Sequence, residues 1–232
     1  MITVLRKELK FVLYQHEFAR IRPLLAGAMS RDVHGGDFGY WVRSLYFDSV
    51  YNKDYYDTVD GHLKKSKIRL RIYSMDGPVK LELKQKEGSE SRKRSLPLTR
   101  EEAEQMEACG FDFLALRKER AARSIYLQLL QGAYQPKTLV EYDREAYTFP
   151  AGDVRVTFDS NVRATAAPWS LFAENPPWTP VIPAATGVLE VKYSSFLPAF
   201  LKDILSLEDR HISANSKYVQ ARQFYQIGGD LK

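Results

Sequence analysis

The sequence predicts an α+β fold: a mainly antiparallel β-sheet with helices packed against it. Three observations lead there. Short segments alternate apolar and charged residues with the period of two that a half-buried strand requires. Stretches with helical apolar spacing fall between them, without the regular strand–helix–strand rhythm of a parallel sheet. The chain has 232 residues, enough to bury about 70–75% of its unfolded surface, so a core forms without disulfide or metal staples.

The elements follow in order. Glu8 and Lys10 flank Leu9 in a first strand-like segment. Residues 16–29 have helical spacing, with Pro23 marking a kink or a later start. Residues 40–48, 67–73 and 79–86 alternate as strands, and Met75-Asp-Gly-Pro78 reads as the hairpin turn between the last two. Thr99 followed by Glu102 forms a capping box for a helix through Cys109, with Gly110 as its stop. Residues 112–131 have looser helical spacing, 154–159 and 187–193 alternate again, and 196–206 and 217–227 read as two further helices. Residues 168–183 (PWSLFAENPPWTPVIP) lose all periodicity and read as a long surface loop. Residues 1–232 are read as a single domain carrying that loop.

Composition narrows the function classes. Hydrophobic residues make up 44% and charged residues 27%, which excludes a largely disordered chain. No run approaches the ~18 apolar residues of a membrane span, and the N-terminal stretch meets charge too early for a signal peptide. The one cysteine, Cys109, is expected as a small buried hydrophobe, and the expected compartment is the cytoplasm. The net charge of +5 permits an anionic ligand without demanding one. The aromatic residues sit mostly beside apolar ones, which argues against nucleic acid as a partner.

The charges are more informative by position. Arg69 and Arg71 interleave with Ile68, Leu70 and Ile72; Glu82, Lys84 and Lys86 alternate with Leu81 and Leu83; Arg155, Thr157 and Asp159 alternate with Val154, Val156 and Phe158. The frame Glu-x-Lys recurs at positions 8, 82 and 190, the last as Glu190 and Lys192. Two readings fit. A sheet with one solvated face alternates in this way, its Glu–Lys pairs aiding solubility. Alternatively, a closed antiparallel barrel has a polar lumen lined by these charges, with helices packed outside. Clustered Lys and Arg then need an anion, and carboxylates among them would serve a divalent cation together with phosphate oxygens. Those are the parts needed to bind a polyphosphate and move a phosphoryl group.

At these residues the sequence resembles the polyphosphate polymerase domain of the vacuolar transporter chaperone (VTC) type, a branch of the triphosphate tunnel (CYTH-like) metalloenzymes. The matching pieces are Arg6-Lys-Glu-Leu-Lys10, Arg43-Ser-Leu-Tyr-Phe-Asp48, Lys67-Ile-Arg-Leu-Arg-Ile-Tyr73 behind Gly61, and Leu81-Glu-Leu-Lys-Gln-Lys86. Lys93, Glu141-Tyr-Asp-Arg144, Val154-Arg-Val-Thr-Phe-Asp159, Arg163, Leu189-Glu-Val-Lys-Tyr193 and Ser216-Lys-Tyr218 follow in the family's order. The resemblance implies a closed antiparallel tunnel that moves the terminal phosphoryl of ATP onto inorganic polyphosphate with Mn²⁺ or Mg²⁺. It implies catalytic roles for Lys10, Arg69, Arg71, Lys84 and Lys217. Phosphate binding would fall to Arg6, Arg43, Lys67, Lys86, Lys93, Arg144, Arg155, Arg163, Lys192 and Ser216. Glu190 would be the main metal ligand, with Glu8 and Glu82 beside it and Asp159 nearby. Hydrolysis of triphosphates on the same fold, or polyphosphate binding without turnover, are the alternatives. Arg6 stands where the triphosphatase and cyclase branch has a glutamate, which favours the polymerase branch. No Gly-x-x-x-x-Gly-Lys-Ser/Thr loop is present, which excludes a P-loop mechanism.

Overall fold

The computed structural model describes residues 7–33, 35–36, 39–88 and 90–229. Arg6, the first residue of its motif, lies outside the described residues. The strands are β1 (Lys7–Tyr14), β2 (Ser30–Arg31), β3 (Tyr40–Asp48), β4 (Lys64–Ile72), β5 (Val79–Glu87), β6 (Glu90–Leu98), β7 (Gln135–Phe149), β8 (Val154–Ala166), β9 (Thr179–Pro180) and β10 (Thr186–Tyr193). The helices are α1 (Gln15–Ala28), α2 (Lys53–Val59), α3 (Arg100–Glu107), α4 (Arg120–Gln131), α5 (Ala199–Leu205) and α6 (Lys217–Gly229). None of the described helices is long and apolar enough to cross a membrane.

Hydrogen bonding orders the strands β1-β10-β8-β7-β3-β4-β5-β6, with β2 on β7 and β9 on β8. The α+β class and the large antiparallel sheet match the expectation. The closed barrel does not: β1 and β6 are the two ends of the order, and the sheet is not closed into a barrel. The end strands show why. Pro97 in β6 lacks a backbone donor, and the exposed Arg92 and Lys93 blunt that edge against further pairing. On β1 the Lys10 carbonyl is already taken by the Ser213 N–H at 2.8 Å.

The chain forms two compact units. The first comprises Met1–Trp41, Tyr142–Val162 and Ile182–Ser216. Its β1, β10 and β8 turn Phe11, Leu13, Leu189, Val191, Val156 and Phe158 to one side, where Phe18, Ile21 and Leu25 of α1 and Leu201 and Leu205 of α5 cover them. Each such side chain contributes roughly 1.5–3 kcal/mol by leaving water. The Phe18 and Phe158 rings stack with centroids 3.7 Å apart. Gly187 is required beside them, since a Cβ there would come within 2.4 Å of the Phe158 ring. Pro23 lies inside α1, which continues through it.

The second unit comprises Val42–Glu141, Arg163–Val181 and Lys217–Lys232. Its core takes the even-numbered residues of β4 (Ile68, Leu70, Ile72) with Leu81 and Leu83 of β5 and Leu96 and Leu98 of β6, all buried. Ile125 and Leu129 of α4 are fully buried, whereas Leu116 and Leu130, which share the same loose sequence pattern, are exposed. The Thr99–Glu102 capping box starts α3: Glu102 N–H donates to Thr99 Oγ1 at 3.2 Å, and Thr99 N–H donates to Glu102 Oε2 at 3.0 Å. The helix ends at Glu107 instead of Cys109. Cys109 itself is exposed, with a left-handed φ of 62°, and so is not the buried hydrophobe expected.

The segment 168–183 is irregular, as expected, but its first half is pinned in place. Leu171 and Phe172 are buried, Leu171 N–H donates to Glu107 Oε1 at 2.8 Å, and the Arg100 guanidinium stacks 4.2 Å from the Phe172 ring centroid. A polar network fixes α2. The Asp48 carboxylate at the end of β3 accepts from the N–H groups of Ser49, Asp54 and Tyr55 and from the Tyr218 hydroxyl of α6. Asp54 is fully buried, accepting from Ser66 Oγ at 2.6 Å and Tyr134 Oη at 3.0 Å.

Burial, with the nearby Asp48 charge adding to it against those two hydrogen bonds, pushes the Asp54 carboxyl up to about 7. The folded state therefore holds this proton to higher pH than the unfolded chain does. Its stabilising effect is complete below the ordinary carboxylate range and is lost as pH rises through about 7, at a cost on the order of 4 kcal/mol. Asp54→Asn removes that dependence. The stability difference between variant and parent is expected to shift in the variant's favour between about pH 5 and about pH 8, as read by urea denaturation at both.

Candidate functional site

The second unit carries a cationic sheet face. In register, Arg71 pairs with Lys80, Arg69 with Glu82, Lys67 with Lys84 and Lys65 with Lys86. β6 adds Ser95 opposite Glu82 and Lys93 opposite Lys84. Side chains in register point the same way, so this face gathers eight cations of β4–β6 around one carboxylate. That carboxylate, Glu82, is only 2% exposed. Arg69 Nε donates to its Oε2 at 2.8 Å, Arg71 Nη1 lies 3.6 Å from the same oxygen, and Lys93 pairs with Oε1. Burial alone would raise the Glu82 carboxyl, but the charges of Arg69, Arg71 and Lys93 hold it far below the usual carboxylate range.

β3 completes this face. Tyr46 pairs with Arg69 and Ser44 with Arg71. Arg69 Nη1 donates to Tyr46 Oη at 2.9 Å and Arg71 Nε to Ser44 Oγ at 3.2 Å. Burial would push the Tyr46 phenol up; Arg69, Arg71 and Lys217 outweigh it and hold the phenol below its ordinary value. The Tyr46 ring stacks on Tyr218, one residue into α6 from Lys217, with centroids 5.1 Å apart. Tyr46 thus orients Arg69, and Tyr218 is fixed in turn by its hydrogen bond to Asp48. The sequence reading gave neither a role, although both stand inside matched motifs.

The first unit carries a charge-balanced face. Glu8 pairs with Lys192 and Lys10 with Glu190, and Glu190 pairs with Thr157 across β8. Lys10 Nζ lies 3.0 Å from Glu8 Oε1 and 3.8 Å from Glu190 Oε1, and Lys192 Nζ lies 3.2 Å from Glu190 Oε1. Arg144 forks onto Asp159 through bonds of 2.6 and 2.7 Å and sits 3.9 Å from Glu190. Burial would raise the Glu190 carboxyl. Lys192, a hydrogen bond with Glu8, and the charges of Lys10 and Arg144 instead hold it well below its usual range.

The Lys10 ammonium lies against both carboxylates and offsets them. The Thr157 hydroxyl opposite Glu190 is buried with no hydrogen-bond partner among the described residues. A divalent ion that took the place of Lys10 would have Glu8 and Glu190 as ligands and would complete its shell with phosphate oxygens and water. A three-carboxylate set does not form: among the described residues no group of three or more His, Cys, Asp or Glu is arranged to hold a metal. Glu82 is instead the counterion of Arg69, Arg71 and Lys93.

Of the other expected site residues, Lys86 shares the β4–β6 face and Arg155 stands opposite Lys192 on the face of Glu190. Arg43 pairs in register with Ile72, so it points to the apolar side of β3, away from Arg69 and Arg71. It is 4% exposed, donates to Glu141 Oε2 at 2.7 Å and to the carbonyls of Leu171 and Ala173, and stacks on Trp178. Arg163 shares Glu141 and the same indole. Both arginines fasten the 168–183 segment. Arg155 is held by Asp32 and Tyr40 at 2.6 and 2.9 Å. Lys86 is exposed near the end of β5, and Ser216 immediately precedes α6.

A family model described as the VTC domain matches residues 5–225. No curated protein sequence matches. Among solved structures the chain is similar to a Hippeastrum protein assigned as an adenylyl cyclase and described as having a dominant triphosphatase activity. The TM-score is 0.56 at 14% identity, covering 93% of this chain and 94% of that one. It is also similar to a protein of Bacillus halodurans assigned as an adenylate cyclase, with a TM-score of 0.53 at 12% identity, covering 91% and 95%. At those identities the likeness concerns the fold.

Glu82→Gln removes the counterion from three cations. The expected outcome is a loss of about 3 kcal/mol in stability. Added inorganic triphosphate should raise the denaturation midpoint more in the variant than in the parent, because the anion then supplies the missing charge. Equal midpoints for variant and parent without anion would show that Glu82 does not balance this face.

Proposed function

Because the chain belongs to the VTC-domain family, we propose that it transfers the terminal phosphoryl group of ATP onto a growing inorganic polyphosphate chain, with residues 1–232 acting as one catalytic domain. The observation that carries this reading is the face of β4–β6, where eight cations share one side of the sheet with Glu82. A polyanion complements a face so rich in cations. In the transfer, a terminal oxygen of the polyphosphate forms a bond to the γ-phosphorus of ATP. The bond from that phosphorus to the β–γ bridging oxygen breaks, and ADP leaves with the electron pair.

The chain's own residues position and neutralise. Arg69 and Arg71 offer planar forks to phosphate oxygens, held in orientation by Tyr46, Ser44 and Glu82. Lys67, Lys84 and Lys217 add compact charges for the equatorial oxygens, where charge builds up in a loose transition state. Lys10, Lys192 and Arg144 keep Glu190 ionised and in place. Glu8 and Glu190 would hold a divalent ion, Mn²⁺ or Mg²⁺, which would neutralise phosphate charge.

Hydrolysis of a triphosphate is the second reading, favoured by the likeness to the Hippeastrum protein with its described triphosphatase activity. Incubation with ATP and Mn²⁺, followed by a gel that resolves chain length, separates the two. Long chains with ADP support transfer, orthophosphate supports hydrolysis, and tight binding without turnover overturns both. Arg71→Ala is expected to lower turnover by at least roughly a hundredfold, and Glu190→Ala to abolish its dependence on added metal.

A further inference from the structure

On β1 the even-numbered residues Glu8, Lys10, Val12 and Tyr14 share one side, while Phe11 and Leu13 turn into the core. That side changes character along the strand. Glu8 and Lys10 meet Lys192 and Glu190 of β10, whereas Val12 meets Val188 and Tyr14 meets Thr186. Val12 and Tyr14 are 49% and 56% exposed. The Tyr14 ring stacks on His16, also exposed, with centroids 5.5 Å apart and planes 17° from parallel. The corner that carries this ring pair is pinned. Tyr14 N–H donates to Glu17 Oε2 at 2.8 Å. Gln15 donates through its N–H and its Nε2 to the carbonyls of Ala185 and Ala184, each at 2.8 Å. Single exposed apolar residues are ordinary. An aliphatic side chain followed by a pinned, stacked aromatic pair, in line with an ion-paired cluster, is a surface for a flat ring.

We propose that Tyr14 and His16, with Val12 beside them, seat the nucleobase of ATP, stacking on the adenine while the phosphates lie toward Lys10 and Glu190. The proposal rests on the reading above that ATP is the donor, and adds the residues that tell a nucleotide from a bare phosphate chain. Lys10 and Tyr14 are four residues apart on one strand, about 13 Å, a span comparable with that of an extended nucleotide from terminal phosphate to base. The surface follows the same order as the ligand: ion pairs at Lys10 for the charged end, aliphatic and aromatic groups at Val12 and Tyr14 for the flat, weakly polar end. Inorganic polyphosphate is charged throughout and has no group for the Tyr14 end. Stacking needs a π-face and no hydrogen-bond pattern, so this seat separates nucleotides from inorganic phosphates more than one purine from another.

The test measures binding of ATP, GTP and inorganic triphosphate by calorimetry without added metal, so turnover does not enter. The quantity read is the ratio of nucleotide to triphosphate affinity. In Tyr14→Ala this ratio is expected to fall roughly tenfold for both nucleotides. The triphosphate affinity is expected to stay unchanged, which also shows that the variant is folded. Tyr14→Phe and Tyr14→Trp are expected to keep the ratio, since the ring face remains. An unchanged ratio in Tyr14→Ala overturns the seat and leaves the transfer reading intact. An equal loss of nucleotide and triphosphate affinity also overturns it, because Tyr14 then supports the phosphate end alone. A parent that binds neither ATP nor triphosphate, with or without Mg²⁺, removes both the seat and the transfer reading.

Discussion

One buried carboxylate sets the terms for the second unit. Two like charges about 5 Å apart repel by about 3 kcal/mol at the effective dielectric of a protein surface, and the face of β4–β6 repeats such contacts along its length. Glu82 offsets the most buried of them. It takes Arg69, Arg71 and Lys93 into one cluster, and through Arg69 it also fixes the Tyr46 hydroxyl. The apolar side of the same strands packs without strain because the charges are confined to the other side by the pleat. Pairing with three cations makes Glu82 the charge balance of this cluster.

The two faces differ in composition. In the first unit Glu8, Glu190, Asp159 and Asp32 meet Lys10, Lys192, Arg144 and Arg155 in close pairs. On that face the Lys10 ammonium lies between Glu8 and Glu190, 3.0 Å from one and 3.8 Å from the other. In the second unit the face of β4–β6 places eight cations on one side with Glu82.

Much of this was legible in the sequence where period two was clean. Ile68, Leu70 and Ile72 against Arg69 and Arg71 give both faces of β4 directly, and the Glu-x-Lys frames mark β1, β5 and β10. Where a strand is buried on both sides the signal vanishes. β3 reads Val42, Arg43, Ser44, Leu45 and Tyr46 with every residue buried, so nothing local says that Arg43 faces away from Tyr46. Its partner, Glu141, lies 98 residues further on, a distance at which one sequence carries no pairing information. β6 reads as a charge run because its exposed Arg92 and Lys93 mask the buried Leu96 and Leu98. Cys109 was misjudged for a backbone reason: the helix ends before it, and its left-handed φ turns it outward.

Closure of the sheet is the remaining difference, and it is a question of edges. A barrel removes its edges by pairing the first strand with the last. Here β6 carries Pro97 and a charged outer row, and β1 has already given the Lys10 carbonyl to Ser213. The sequence pattern of alternating charge is indifferent to this, since an open sheet and a closed one demand the same alternation. The cationic face does not depend on closure either. Its geometry comes from the β3–β4–β5–β6 registers within one unit, and those registers alone bring Arg69, Arg71, Lys67, Lys84 and Lys93 around Glu82.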